Sequence, residues 1–223
     1  MDKCLFWLDF YFLWRILVPY RVNIAVVGHQ IMQEVDAIKS ELQRQQVESH
    51  LADRGQIYLD IWKLGLNTFL RISDVLALTM ADVRQIKDDQ PELKLTEIKT
   101  GKPRTIALNE TALGILQRRL AEHPKDKWLF QSESPRHTLR SGPQPINRRS
   151  VGRVFAETGQ QIRPRVQLGT HSMRKTRGFA MHEAGRSIEE ICRALNHSHP
   201  AVTMRYIGLT QAEINQSFTD FEL

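Results

Sequence analysis

The stretch from Leu168 to Gly208 constrains this chain most, because helix signals and polar residues alternate there in a fixed order. A helix starting near Thr170 would bury Met173, Ala180, Met181 and Ala184. It would stop at Gly185, where glycine supplies a left-handed end. Ser187 and Glu190 form a capping box for a second helix, with Ile188, Ile191, Cys192 and Leu195 inward. Asn196-His197-Ser198-His199-Pro200 reads as a turn. Ser198 can cap a third helix there, with Pro200 tolerated in its first turn. His171 and Arg174 are three residues apart on the first helix and so share a face. His197 lies in the turn, and Tyr206 lies two turns into the third helix.

The chain before this stretch is mainly helical, with one break in period. From Gln33, Val35, Ile38 and Leu42 recur at helix spacing, and Arg54-Gly55 ends that segment. Ile57 to Leu70 is a strongly apolar helix. Arg71 follows at the junction with another helix, whose face is Ile72, Val75, Leu76 and Thr79. An arginine between two apolar helices is costly unless it is paired, with Asp74 for instance, or points into a polar cleft. Leu93–Ile98 and Thr105–Leu108 then alternate like strands. The link Lys99-Thr100-Gly101-Lys102-Pro103-Arg104 makes them a β-hairpin with a cationic tip. Asn109 caps a helix through Leu120, and Trp128-Leu129-Phe130 is a short apolar anchor. Gln131 to Pro145 reads as a surface loop. Ile146 to Ile162 carries a helix with Val151, Val154 and Phe155 inward and Arg148, Arg149 and Arg153 outward. The predicted fold class is mainly α with a small antiparallel β-sheet (α+β).

Residues 1 to 32 are a different matter. Residues 1 to 28 hold seven of the chain's seventeen aromatics, but Asp9, Arg15, Arg21 and Pro19 interrupt the apolar run. A membrane span needs about 20 mostly apolar residues, and a signal peptide needs an unbroken apolar segment with a cleavage site. The segment fits neither. It reads as an apolar helix docked on the domain or a partner, or as sequence upstream of a start at Met32.

Charge is distributed unevenly. The net charge is +6, yet Arg136 to Arg177 holds ten Lys or Arg and one acid, a local +9, so the remainder is near −3. Such a basic face points to a polyanion, and nucleic acid is the expected one. Two cysteines far apart, Cys4 and Cys192, imply no disulfide framework and fit a reducing cytoplasm. The spacing of His182, Cys192, His197 and His199 matches no common zinc pattern.

Tyrosine, histidines and arginines in this order are what transfer of a DNA phosphoryl group to tyrosine requires. A free phenol has a pKa near 10, so about 0.1% is phenolate at pH 7. Adjacent arginines and a hydrogen-bonding histidine ease deprotonation. Arginine forks suit the non-bridging phosphate oxygens better than lysine does. A rival reading takes Ser187 to Ile207 as a helix-turn-helix, with Thr203 and Arg205 on a recognition helix. It leaves Arg71, the Lys99 hairpin and the His171–Arg174 pair without a role.

From about Gln33 to its C-terminus the chain resembles the catalytic domain of tyrosine recombinases, the phage integrase family. Four ordered pieces carry the resemblance: T-F-L-R-I-S-D at Arg71, I-K-T-G-K-P-R at Lys99, H-S-M-R at His171 and Arg174, and L-N-H-S with R-Y at His197 and Tyr206. Phe69 departs from the glycine usual before the arginine box, and Asp74 replaces the commoner Glu. The resemblance implies Arg71 and Arg174 as a phosphate clamp, Lys99 as the hairpin lysine, His171 and His197 as supporting histidines, and Tyr206 as nucleophile. It implies no cofactor or metal. The expected activity is cleavage and rejoining of double-stranded DNA through a covalent 3′-phosphotyrosine. The expected assembly is a homo-oligomer, a tetramer on paired DNA sites, acting in the cytoplasm of a bacterium or phage host. A catalytically inactive remnant that only binds DNA is the alternative within the family. Lys102, Arg104, Arg148, Arg149, Arg153, Lys175 and Arg177 are the candidate DNA-binding residues. The expected organisation is an N-terminal segment over 1–32, a catalytic domain over 33–209, and a tail over 210–223 that contacts other subunits. Residues 1–32 are too short for the separate helical DNA-clamping domain that many members carry.

Overall fold

Helix α2 (Gln56–Thr68) lies at the centre of the core, with Ile61, Trp62 and Leu64 fully buried. A computed structural model of the chain describes residues 35–133, 142–208 and Thr219. The chain divides into two units, Met1–Gln33 and Glu34–Leu223, and every element below belongs to the second. The expectations placed on residues 1–32 lie outside the described residues. So do those on Arg136, Arg140 and the tail, Thr219 excepted.

Around α2 pack α1 (Glu41–Arg54), α3 (Ile72–Ala77) and α5 (Glu110–Glu122), and α4 (Met80–Arg84) packs against α5. Helix α6 (Arg148–Gln161) adds Val151, Val154 and Phe155, and the Phe155 ring meets Trp62 edge-on at 5.4 Å. The antiparallel hairpin pairs β1 (Glu92–Thr96) with β2 (Pro103–Ala107), Leu95 facing Arg104. Helices α7 (Ser172–Glu183), α8 (Ile188–Leu195) and α9 (Pro200–Ile207) follow. The fold is mainly helical with a small antiparallel sheet.

Local chemistry explains most boundaries. Asn109 accepts a hydrogen bond from the Ala112 N–H at the start of α5. Thr79 and Asp82 form a capping box on α4, and Ser187 and Glu190 form one on α8. Three expectations need correction. Val35 and Ile38 are not helical: Asp36 pairs with Gln167, and the Ile38 N–H donates to Thr176 Oγ1 at 2.8 Å. These tertiary bonds hold the strand-like segment against α7, and the helix starts only at Glu41, leaving Leu42 62% exposed. Thr79 does not extend the α3 face but caps α4. The N-cap of α9 is His199, not Ser198, with Pro200 at the first helical position.

Two glycines fix where α7 lies. A Cβ on Gly65 of α2 would fall 2.3 Å from Met173 Sδ, and one on Gly178 of α7 would fall 2.6 Å from Ile207 Cγ2. Without side chains there, α7 fits between α2 and α9. That close fit brings its arginine toward the α2–α3 junction and the tyrosine of α9 toward both.

Candidate active site

The site begins where α2 ends. Phe69 adopts the left-handed conformation, φ 55 and ψ 17, and Arg71 is extended at the start of α3. The left-handed step explains why glycine is usual there: a Cβ costs about 1–2 kcal/mol in that region. The Phe69 ring offsets this by burial, 5% exposed, against Ile191, Leu195 and Ile207. The guanidinium of Arg177 lies 5.3 Å above the same ring.

The turn at Phe69 also aims its carbonyl at α7. Arg174, only 2% exposed, donates Nη1 to Phe69 O and Nη2 to Leu195 O, the latter at 2.8 Å. Both acceptors sit at helix C-termini, α2 and α8. There, backbone carbonyls lack helical partners and the helix dipole is negative. A buried guanidinium is therefore tolerable at this point. Burial still lowers its pKa, while Tyr206 acts in the opposite sense.

Arg71 does not pair with Asp74. Its Nη1 lies 3.0 Å from Glu97 Oε2, an ion pair without hydrogen-bond alignment. Asp74, 2% exposed, instead accepts the Ile98 N–H at 2.9 Å and so anchors the hairpin. Glu97 is fully buried and receives Arg104, Thr100 and Asn196 as well. Burial alone would raise its pKa. The hydrogen bonds from Arg104, Thr100 and Asn196, with the charge of Arg71, hold it at about 2. Lys99 is exposed on the turn, close enough for its charge to act on His171.

Tyr206 meets both histidines. Its Oη lies 3.3 Å from His171 Nδ1, and the His197 ring stands edge-on to it at 5.0 Å. His197 Nδ1 is 3.0 Å from Oγ1 of the buried Thr203. Burial lowers the His197 pKa to about 4, helped by the charges of Arg174 and Arg71. Burial lowers that of His171 too, together with Arg174, Arg148, Lys99 and Arg71. Both rings are therefore neutral near pH 7. Burial raises the Tyr206 pKa, and the charge and hydrogen bond of Arg174 and the charge of Arg71 only partly oppose it. The resting phenol keeps its proton, with a neutral imidazole beside it.

The structure thus draws Arg71, His171, Arg174, His197 and Tyr206 together, with Lys99 above them on the hairpin. Among the candidate DNA-binding residues, Lys102, Arg148, Arg149 and Arg153 are exposed. Arg104 and Lys175 are placed inside: Arg104 bonds Glu97 and the Ala194 carbonyl, and Lys175, 7% exposed, holds its ammonium 5.7 Å from the Tyr206 ring. Arg177 is half-buried on Phe69. The α7 face also differs from expectation. Ala180 and Ala184 are exposed, and Arg174, Lys175, Thr176 and Phe179 are buried beside Met173. Sequence reasoning missed Glu97, and it considered Thr203 only on a DNA-reading helix, not beside His197. No signal in the sequence marked Glu97 as buried, because its partners Arg71 and Asn196 are distant in the chain. Burial of Thr203 also removes one of the two base-reading side chains that a helix-turn-helix needed.

Among the described residues, no group of three or more His, Cys, Asp or Glu is placed to hold a metal ion. No described helix is long and apolar enough to cross a membrane.

A tyrosine set against two histidines, a buried arginine and a second arginine, on a mainly helical frame, is the arrangement that the resemblance to tyrosine recombinases implies. Residues 29–213 match the phage integrase family, and the chain belongs to that family of enzymes, which break and rejoin DNA. It is 34% identical over 194 residues to the probable integrase/recombinase YoeC of Bacillus subtilis (strain 168), covering 85% of this chain and 98% of that one. The XerA recombinase shares the fold at a TM-score of 0.61 and 16% identity, covering 84% of this chain and 64% of that one. A lambda integrase fragment, solved as a dimer on a COC′ core site, shares it at 0.58 and 16%, covering 80% and 62%. The chain thus spans a little under two thirds of these two solved recombinases.

Proposed function

We propose that this chain is a site-specific DNA recombinase that cleaves and rejoins strands through a covalent bond to Tyr206. The observation that carries the reading is Tyr206 Oη at 3.3 Å from His171 Nδ1, beside the buried Arg174. The Tyr206 oxygen attacks the scissile phosphorus and its proton passes to His171 Nδ1. The bond to the 5′ oxygen breaks, and that oxygen takes a proton from Lys99. The product is a 3′-phosphotyrosine and a free 5′-hydroxyl. The reverse attack by a 5′-hydroxyl reseals a strand with no outside energy source. Arg71 and Arg174 stabilise the charge on the non-bridging oxygens, each such donor worth about 3 kcal/mol. In the tautomer whose Nδ1 accepts from the Thr203 hydroxyl, 3.0 Å away, His197 offers an Nε2–H donor to the same phosphate.

Double-stranded DNA is the partner, held by Lys102, Arg148, Arg149 and Arg153 along with the site arginines. The lambda integrase fragment on its core site and the Tn1549 integrase with circular-intermediate DNA support this reading. Assembly as a tetramer on paired sites, with residues 210–223 reaching a neighbouring subunit, belongs to the same proposal. So does a cytoplasmic setting in a bacterium or phage host.

The test is covalent capture on a nicked suicide substrate, read on a denaturing gel. Wild type should form an adduct. Tyr206→Phe should fold, bind the same DNA and form none, because the phosphate contacts come from other residues. An adduct that survives in Tyr206→Phe would overturn the mechanism. A folded, DNA-bound wild type that forms no adduct would leave a protein that only binds.

A further inference from the structure

Glu97 is fully buried although its neighbours Thr96 and Ile98 are exposed. Both carboxylate oxygens are engaged. Oε1 accepts Arg104 Nη1 at 2.8 Å, and Oε2 accepts Thr100 Oγ1 at 2.8 Å and Asn196 Nδ2 at 2.9 Å. Arg71 Nη1 lies 3.0 Å from Oε2. The four partners come from four places: the α2–α3 junction, the hairpin turn, strand β2, and the position just before His197. Arg104 also donates to Ala194 O at 2.7 Å, which ties β2 to α8.

The effect on Lys99 follows from the chain itself. Ile98, just before it, is held at its N–H by Asp74. Thr100, just after it, is held at its hydroxyl by Glu97. Both sides of Lys99 are pinned, so the flexible part is its own side chain. One carboxylate between Arg71 and Arg104 also relieves repulsion between two guanidiniums that would otherwise force the hairpin away.

We infer that Glu97 is a positioning residue: it fixes the hairpin against Arg71 and the His197 turn, so that Lys99 reaches the leaving oxygen. This rests on the reading of Lys99 as the general acid given above. General acids of this kind contribute about 10²- to 10⁴-fold, and a displacement of about 1 Å can cost 10²-fold.

The experiment is single-turnover cleavage of two DNA substrates, one ordinary and one with sulfur in place of the bridging 5′ oxygen. A thiolate leaves without a proton, since thiols have a pKa near 8.5 and alcohols lie far higher. Lys99→Ala should be slow on the ordinary substrate and close to wild type on the sulfur one. Glu97→Gln keeps the shape and removes the charge. It should bind DNA within about threefold of wild type and cleave the ordinary substrate about 100-fold more slowly. On the sulfur substrate it should recover to within about threefold of wild type. Thr100→Val cuts only one link and should show a drop of about tenfold, rescued the same way. If Glu97→Gln does not fold, Thr100→Val decides the matter alone. No drop, or an equal drop on both substrates while Lys99→Ala is rescued, would overturn the role of Glu97 alone. Failure of the sulfur substrate to rescue Lys99→Ala would overturn the general-acid reading and this inference with it.

Discussion

Burial acts in opposite directions on the groups that meet at Tyr206. It holds the phenol protonated and the imidazoles neutral, so the resting site has a proton to give and a base to take it. This makes a stability prediction. The His197 pKa is about 4 in the folded chain against 6.5 for the free side chain. Between those values the unfolded chain binds more protons, so stability falls as pH drops from about 6.5 toward 4. His171 contributes in the same direction. His197→Gln should therefore flatten, without abolishing, the decline of unfolding free energy measured by urea titration between pH 7 and pH 4.5. An unchanged slope would mean that the folded chain does not lower the His197 pKa. Glu97 acts in a separate window. With its folded pKa at about 2, its contribution is present above about 4.5 and is lost below it.

The junction of α2 and α3 makes a prediction about helices. Phe69 is held left-handed by its neighbours, and its ring fills the small cluster under α8 and α9. Truncating a buried Phe to Ala costs about 3–5 kcal/mol. Glycine at the same place recovers about 1–2 kcal/mol of backbone strain. Phe69→Gly should thus be less destabilising than Phe69→Ala by roughly 1 kcal/mol in chemical denaturation, the reverse of the usual order in a helix. Gly178→Ala should press on Ile207 and displace α9, slowing cleavage with DNA affinity unchanged. Single-turnover rates would show it, and an unchanged rate would mean that α9 shifts without moving Tyr206.

The same elements show what the sequence could reveal. The hairpin, the Ser187 capping box and the inward face of α6 were legible because each is set by residues close in the chain. The face of α7 was not, since periodicity counts apolar residues, and here Arg174 and Lys175 fill buried positions against carbonyls and an aromatic ring. Glu97 was illegible for a related reason. Its partners Arg71 and Asn196 lie far away in the chain, and a lone carboxylate in a charged turn carries no sign of burial. The start of α1 was misread because Val35 and Ile38, though at helix spacing with Leu42, lie in an extended segment held by Thr176 and Gln167.

For the molecule on DNA, the exposed cations set the salt dependence. Lys99, Lys102, Arg148, Arg149 and Arg153 are all exposed. If these five contact phosphates, log K against log salt should slope near −4.5. Arg149→Ala with Arg153→Ala should make the slope shallower by about 1.8 and leave the chemistry in place. A wild-type slope near zero would contradict a DNA-binding face. Deleting residues 211–223 should weaken oligomers on DNA, measured by native gel or light scattering. Assembly and cleavage equal to wild type would make the tail a local cover only.

The decisive measurement is the chemical identity of the covalent link. The captured adduct should be digested and its phosphorylated peptide sequenced by mass spectrometry, with the released strand tested for labelling by a 5′-kinase. The expected result is phosphorus on Tyr206, bonded to a DNA 3′ end, and a released strand with a free 5′-hydroxyl. Phosphorus on Tyr58 or any other residue, or a released strand that already carries a 5′-phosphate, would overturn the mechanism built on Tyr206, His171 and Arg174.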